Sequence, residues 1–134
     1  MGEVIGPLLV GLFRDARFSY ARGALAPHVS TSIVVPRVSE ELRCAEPLDR
    51  EYRIEVVGIG AFSIYAVCSV DKAVIEGHEL NLKTAIHVGK PLASENIEYE
   101  LVIGRDLIDY WRLVYSPLTR SIRSLISRPM TARY

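Results

Sequence analysis

Leu101-Val102-Ile103-Gly104-Arg105-Asp106-Leu107-Ile108-Asp109-Tyr110-Trp111-Arg112-Leu113-Val114-Tyr115 is the stretch whose reading decides the fold. Consecutive apolar residues that favour β structure run into a glycine. Arg105 and Asp106 then open a short helical signal, with Leu107, Ile108 and Trp111 at i, i+1 and i+4 on one face. A second apolar strand, Leu113 to Tyr115, follows at once. Gly104 stands where a strand must turn sharply with no Cβ in the way. Periodicity alone predicts a buried strand–helix–strand unit.

Outward from this unit the chain reads as short strands separated by turns. Val4 to Phe13 is an apolar strand, placed at an edge or end by Pro7, which donates no backbone hydrogen bond. Phe18 to Ala26 is the next, with a bend or bulge allowed at Arg22-Gly23. Pro27-His28-Val29-Ser30-Thr31-Ser32 is a loop made of a breaker and three hydroxyl residues. Ile33 to Val35 is a short buried strand ended by Pro36. One helical turn, Ser39 to Leu42, has Ser39 as its N-cap. Arg50 to Val57 alternates charged and apolar residues, turns at Gly58-Ile59-Gly60, and returns as Phe62 to Val70. Glu79 to Val88 is an alternating strand, Gly89 to Asn96 a polar loop, and Ser121 to Ile126 the last strand. Many short strands with regular turn signals predict an all-β closed or semi-closed barrel with one or two single-turn helices.

Length and composition bound the answer. At 134 residues and 49% apolar, the chain suits one domain, residues 1–126, followed by a short basic tail, 127–134. Formal net charge is zero, which argues against a coat for nucleic acid or an anionic membrane. No acid follows Asp109, while Arg112, Arg120, Arg123, Arg128 and Arg133 do. The expected target of that basic tail is an acidic protein surface, not nucleic acid. Cys44 and Cys68 make neither a disulfide framework nor a metal site, and no histidine has ligand spacing to them. No metal and no cofactor are expected. Val4 to Phe13 is a poor leader: Glu3 replaces the basic flank and Pro7 breaks the run. No run approaches the ~20 apolar residues of a membrane span. A cytoplasmic protein is the expectation.

Several of these segments together resemble one lobe of a retropepsin-like (retroviral-type) aspartic protease. Val102-Ile103-Gly104-Arg105-Asp106-Leu107-Ile108 is similar to the family's apolar-apolar-Gly-Arg-Asn/Asp-Leu-Leu. Ala24-Leu25, Ser30, Val34-Val35-Pro36-Arg37 and Glu40-Glu41-Leu42 resemble the surroundings of the catalytic loop in microbial members. Arg53 to Val70 sits where the family carries its flap hairpin, with Gly58, Ile59 and Gly60 at the tip. Leu113 to Thr119 resembles the family's closing turn. The resemblance runs from about residue 20 to 126. It implies an acid-protease lobe in which the strand ending at Gly104 passes beside loop 27–32. A side chain at Gly104 would then collide with that loop.

The departure lies at the catalytic motif. Counted back from Pro36, the family's Asp-Thr/Ser-Gly falls on Pro27-His28-Val29. The family's chemistry needs two carboxylates, one per lobe, sharing a proton and activating a water. Pro27 has no ionisable group, His28 is a bulky substitute for the Thr/Ser hydroxyl, and Val29 is β-branched where a close backbone approach is required. The nearest acids, Asp15 and Glu40, are not followed by Thr/Ser-Gly. Asp106 and Asp109 belong to the helix, with helix-dipole and salt-bridge roles. The resemblance therefore implies a catalytically inactive, retropepsin-like homodimer that binds a peptide or protein, with Ser30, Thr31, Gly58, Ile59, Gly60, Gly104 and Arg105 at its cleft or flap. The alternative is an aspartic-type endopeptidase with non-standard catalytic residues.

Overall fold

The computed structural model describes residues 4–92, 98–126 and 128–129. β1 (Ile5–Arg14) and β2 (Arg17–Leu25) form an antiparallel hairpin closed by a two-residue turn. β3 (Ile33–Val34), α1 (Pro36–Leu42), β4 (Ala45–Val56), β5 (Gly60–Val70), β6 (Lys72–Ile75), β7 (His78–Leu80) and β8 (Thr84–Pro91) follow. After these come β9 (Leu101–Ile103), α2 (Arg105–Tyr110), β10 (Leu113–Ser116), β11 (Ser121–Ser124) and β12 (Arg128–Pro129). One sheet has the order β12-β7-β6-β1-β2-β9-β3-β8-β5-β4, and β10 pairs with β11 apart from it. β1 and β5 touch although β2, β9, β3 and β8 lie between them in the pairing order, so the sheet curls on itself. The architecture is the all-β lobe with two short helices that the strand pattern predicts.

Two apolar clusters fill the lobe, and β3 and β9 run between them. Leu101, Ile103 and Val34 face the larger cluster, with Leu12, Leu42, Ile86, Leu107 and Trp111. Val102 and Ile33 face the smaller one, with Ala26, Val29, Val56, Phe62 and Ile64. Successive side chains of a strand point to opposite faces, so a strand with apolar cover on both sides must be apolar at every position. This is why Ile33-Val34-Val35 and Leu101-Val102-Ile103 are unbroken apolar runs.

Several elements differ from the sequence expectation. β1 is not an edge strand: it pairs with β2 and β6. Pro7 is accommodated because the β1–β2 register shifts between Ile5 and Leu8, so the irregularity lies on β1 and not at Arg22-Gly23. α1 starts at Pro36, with Val35 at the N-cap. Proline's fixed φ suits the first helical position; Ser39 is inside the helix, and its hydroxyl donates to the Pro36 carbonyl (2.9 Å). The segment 79–88 is two strands, β7 and β8, and β8 continues through Gly89 to Pro91. Gly89 pairs with Ile64 within β8, and the position takes a glycine because a Cβ there would lie 2.7 Å from Ile33 Cγ2 and 2.8 Å from Ile64 Cδ1. β11 ends at Ser124, short of Ile126. Of the expected tail, the backbone of residues 128 and 129 pairs with β7; residues 127 and 130–134, like residues 93–96 of the expected polar loop, lie outside the described residues.

α1 is strapped to the sheet by polar contacts. Ser19, buried on β2, donates its hydroxyl to Glu41. Arg37 pairs with Glu41 and Glu100, both at 2.7 Å, and donates to the Tyr20 carbonyl (2.9 Å). The Ser19 hydrogen bond first, and then the Arg37 charge, hold the Glu41 carboxyl below the usual carboxylate range. A lowered folded-state pKa means this tie is present at neutral pH and is lost as pH falls through the lowered value.

Cys44 and Cys68 form a disulfide, with Cα atoms 4.7 Å apart. The sequence leaves the state of this pair open; the structure makes of it a single bridge and no framework. Arg43 closes α1 in the left-handed region (φ 49°), and the chain turns directly into β4. Ala45 lies opposite Cys68, which brings Cys44 against β5. The bridge closes a loop of 24 residues, which chain-entropy reasoning values at about 3 kcal/mol. Replacing both cysteines by alanine is expected to lower unfolding free energy by about that amount in a denaturant titration. A double variant with the wild-type midpoint would contradict it.

Candidate functional site

The site is built where β2 and β9 stop running together. They pair in parallel through Leu25↔Ile103, and the Ala26 amide adds one more bond to the Ile103 carbonyl (2.9 Å). The two chains then part, one into loop 27–32 and the other through Gly104 into α2. They remain tied across the gap. The Arg105 amide donates to the Val29 carbonyl (2.6 Å) and the Asp106 amide to the Ser30 carbonyl (3.3 Å). Gly104 has an extended backbone, φ −90° and ψ −173°. A Cβ on it would lie 2.7 Å from the Val29 oxygen and 3.0 Å from the carbonyl carbon and oxygen of Thr31. Loop 27–32 and the strand end at Gly104 thus come together, in the crossed arrangement the fold requires.

Ser32 and Asp106 are the polar centre of this crossing. The Ser32 hydroxyl is fully buried. It accepts from the Gly104 amide (2.8 Å) and donates to Asp106 Oδ1 (2.5 Å). Asp106 Oδ2 accepts the Ser32 amide (3.1 Å), and Oδ1 also accepts the Leu107 amide (2.7 Å). That hydroxyl both donates and accepts, so it is partnered in each sense, as burial demands. Asp106 is therefore a loop-to-helix clamp in addition to an acid in the first turn of α2, a role its local sequence does not show. Asp109 does form the expected ion pair, with Arg105 at 3.3 Å.

The other residues singled out by the sequence fall as follows. Pro27, His28 and Ser30 are exposed, Thr31 is half-buried, and Val29 is buried in the smaller cluster. Gly58 (φ 91°) and Gly60 (φ 147°) occupy backbone conformations that side chains rarely adopt, and they set the tip of the β4–β5 hairpin with Ile59 between them. That tip reaches loop 27–32 through His28, whose Nε2–H donates to the Val57 carbonyl at 2.9 Å. Arg105 is exposed and committed to Asp109. Loop, hairpin tip and strand end are thus at one end of the lobe. No side chain of residues 27–32 is a carboxylate, and among the described residues the one acid bonded to the loop, Asp106, is engaged with three donors. Among the described residues no three His, Cys, Asp or Glu side chains gather as metal ligands.

A curled all-β sheet, a strand-to-helix glycine crossing a hydroxyl-rich loop, and a glycine-tipped hairpin over that loop define the single lobe of a retropepsin-like acid-protease fold. The chain superposes on the crystal structure of the retroviral protease-like domain of Ddi1 from Leishmania major with a TM-score of 0.60 at 16% identity, covering 96% of each chain. A retropepsin-like aspartic protease from Rickettsia conorii aligns at a TM-score of 0.42 and 16% identity, over 87% of this chain and 88% of that one. The first of these likenesses supports the fold, and at that identity it speaks to fold alone. No family model matches the chain, and no curated protein does. Among the described residues no helix is long and apolar enough to cross a membrane.

Proposed function

We propose that the chain is a catalytically inactive retropepsin-like lobe that works as a homodimer and holds a peptide or protein segment. The observation that carries this reading is a crossing loop whose hydrogen-bonded frame is complete and whose chemistry is missing. Ser32, Gly104 and Asp106 hold the loop in place, while no acid occurs anywhere from residue 16 to residue 39. A single lobe makes half a cleft, so the second half is supplied by another copy. The N-terminal segment and the last strands are the proposed contacts. Val4 to Leu8 lie beside Tyr115, Arg120 and Ile122 across a cavity of about 400 Å³. Leu118 is 97% exposed at the tip of the β10–β11 hairpin.

The endopeptidase alternative would need another nucleophile and base. His28 hydrogen-bonds to the Val57 carbonyl and to neither Ser30 nor Ser32, and the Ser32 hydroxyl is spent on Asp106. Sedimentation equilibrium at micromolar concentration is expected to give twice the 15.0 kDa chain mass. A species of 15.0 kDa alone at high concentration would overturn the dimer.

A further inference from the structure

We infer that the β4–β5 hairpin is a self-latched lid over loop 27–32 and that His28 is the latch. Two attachments bend the hairpin onto the loop. One is the hydrogen bond from His28 Nε2–H to the Val57 carbonyl, 2.9 Å. The other is apolar: Val56, Phe62 and Ile64 of the hairpin pack in one cluster with Ala26, Val29, Ile33 and Val102, and Ile54 and Ile59 close its margin.

The tip has little else to hold it. Val57 is 63% exposed, and nothing lies within 4 Å of the place a Gly60 Cβ would take. β4 is the last strand of the sheet and loses register with β5 between Pro47 and Tyr52. Among the described residues, the His28 bond is the one hydrogen bond between tip residues 57–59 and loop 27–32. Val29, Ile33 and Val102 are consequently covered by the hairpin's own side chains, while Pro27, His28 and Ser30 stay exposed, so a chain that is to reach that apolar floor must first displace the latched hairpin. What the lid admits rests on the function proposed above; the latch itself rests on geometry.

Amide hydrogen exchange on the full chain tests it, in wild type, His28→Ala and His28→Gln. His28 is exposed, so neither change opens the core. In His28→Ala the amides of 57–61 are expected to exchange about fivefold faster, the factor one ordinary hydrogen bond supplies. Amides of β6 and β7 should keep their wild-type rates. His28→Gln, which retains a side-chain N–H donor, should stay near wild type. Unchanged exchange at 57–61 in His28→Ala overturns the latch, and so does acceleration spread evenly over the whole chain. Sedimentation of the same samples reads the dimer separately: a monomer with a faster tip removes the dimer and leaves the latch.

Discussion

Incubated with an unfolded protein substrate across the acid range, the chain is expected to release no peptide above background. Hydrolysis in this fold depends on two carboxyl groups that share one proton, so that one form deprotonates water while the other protonates the leaving nitrogen. Their mutual repulsion is what separates their pKa values into those two roles. Here the entire stretch from residue 16 to residue 39 lacks an acid, so no residue of the loop can present a carboxyl to a partner lobe. Asp106, the acid closest by bonding, already accepts hydrogen bonds from Ser32 and Leu107. Removing groups that act as one catalytic unit lowers the rate on the order of a million-fold. Mass spectrometry of the digest is the measurement. Cleavage that a statine-type transition-state mimic suppresses would overturn the inactive reading and the mechanism with it.

Gly104→Val is expected to cost about 3 kcal/mol or more of unfolding free energy. The reason is collision and not backbone strain. At φ −90° the residue is in extended space open to any side chain. The Cβ, however, would meet the Val29 oxygen at 2.7 Å and Thr31 carbonyl atoms at 3.0 Å. These are backbone atoms and cannot swing away as a flexible side chain does. The loop carrying them is pinned by the Arg105 amide to Val29 and by the Asp106 amide to Ser30. Yielding to the new atom therefore means breaking the crossing. Because the first carbon already makes the collision, Gly104→Ala should lose most of what valine loses. Denaturant titration of both variants checks this, and an alanine variant with the wild-type midpoint would refute the steric account.

The sequence by itself determined the elements whose causes are local. Alternation in Arg53-Ile54-Glu55-Val56 foretells a strand with one face out, and Ile54 and Val56 are indeed the less exposed pair. The apolar run into Gly104 and the i, i+1, i+4 set Leu107, Ile108 and Trp111 foretell a strand and a short helix with one buried face, which β9 and α2 realise. Glycines at 58 and 60 foretell a hairpin tip, and the structure gives both of them a positive φ. The absence of a loop carboxylate is also plain from the residues alone.

Only the tertiary structure decided the contacts made across long separations. Ser32 and Asp106 are 74 positions apart, and neither carries a local sign of the other. Cys44 becomes a partner of Cys68 only because an αL residue at 43 turns α1 into β4 in the register that sets Ala45 opposite Cys68. His28 reaches the hairpin tip only because the curled sheet brings β4 and β5 over the loop. Backbone conformation and the inward or outward sense of a strand are set by neighbours one to four residues away. Which hydroxyl, thiol or imidazole meets which partner depends on the pairing register of strands far apart in the chain. That register is chosen by the packing of both apolar clusters at once, because a one-residue slip would turn the buried side chains of one-sided strands outward and exchange the two faces of β3 and β9.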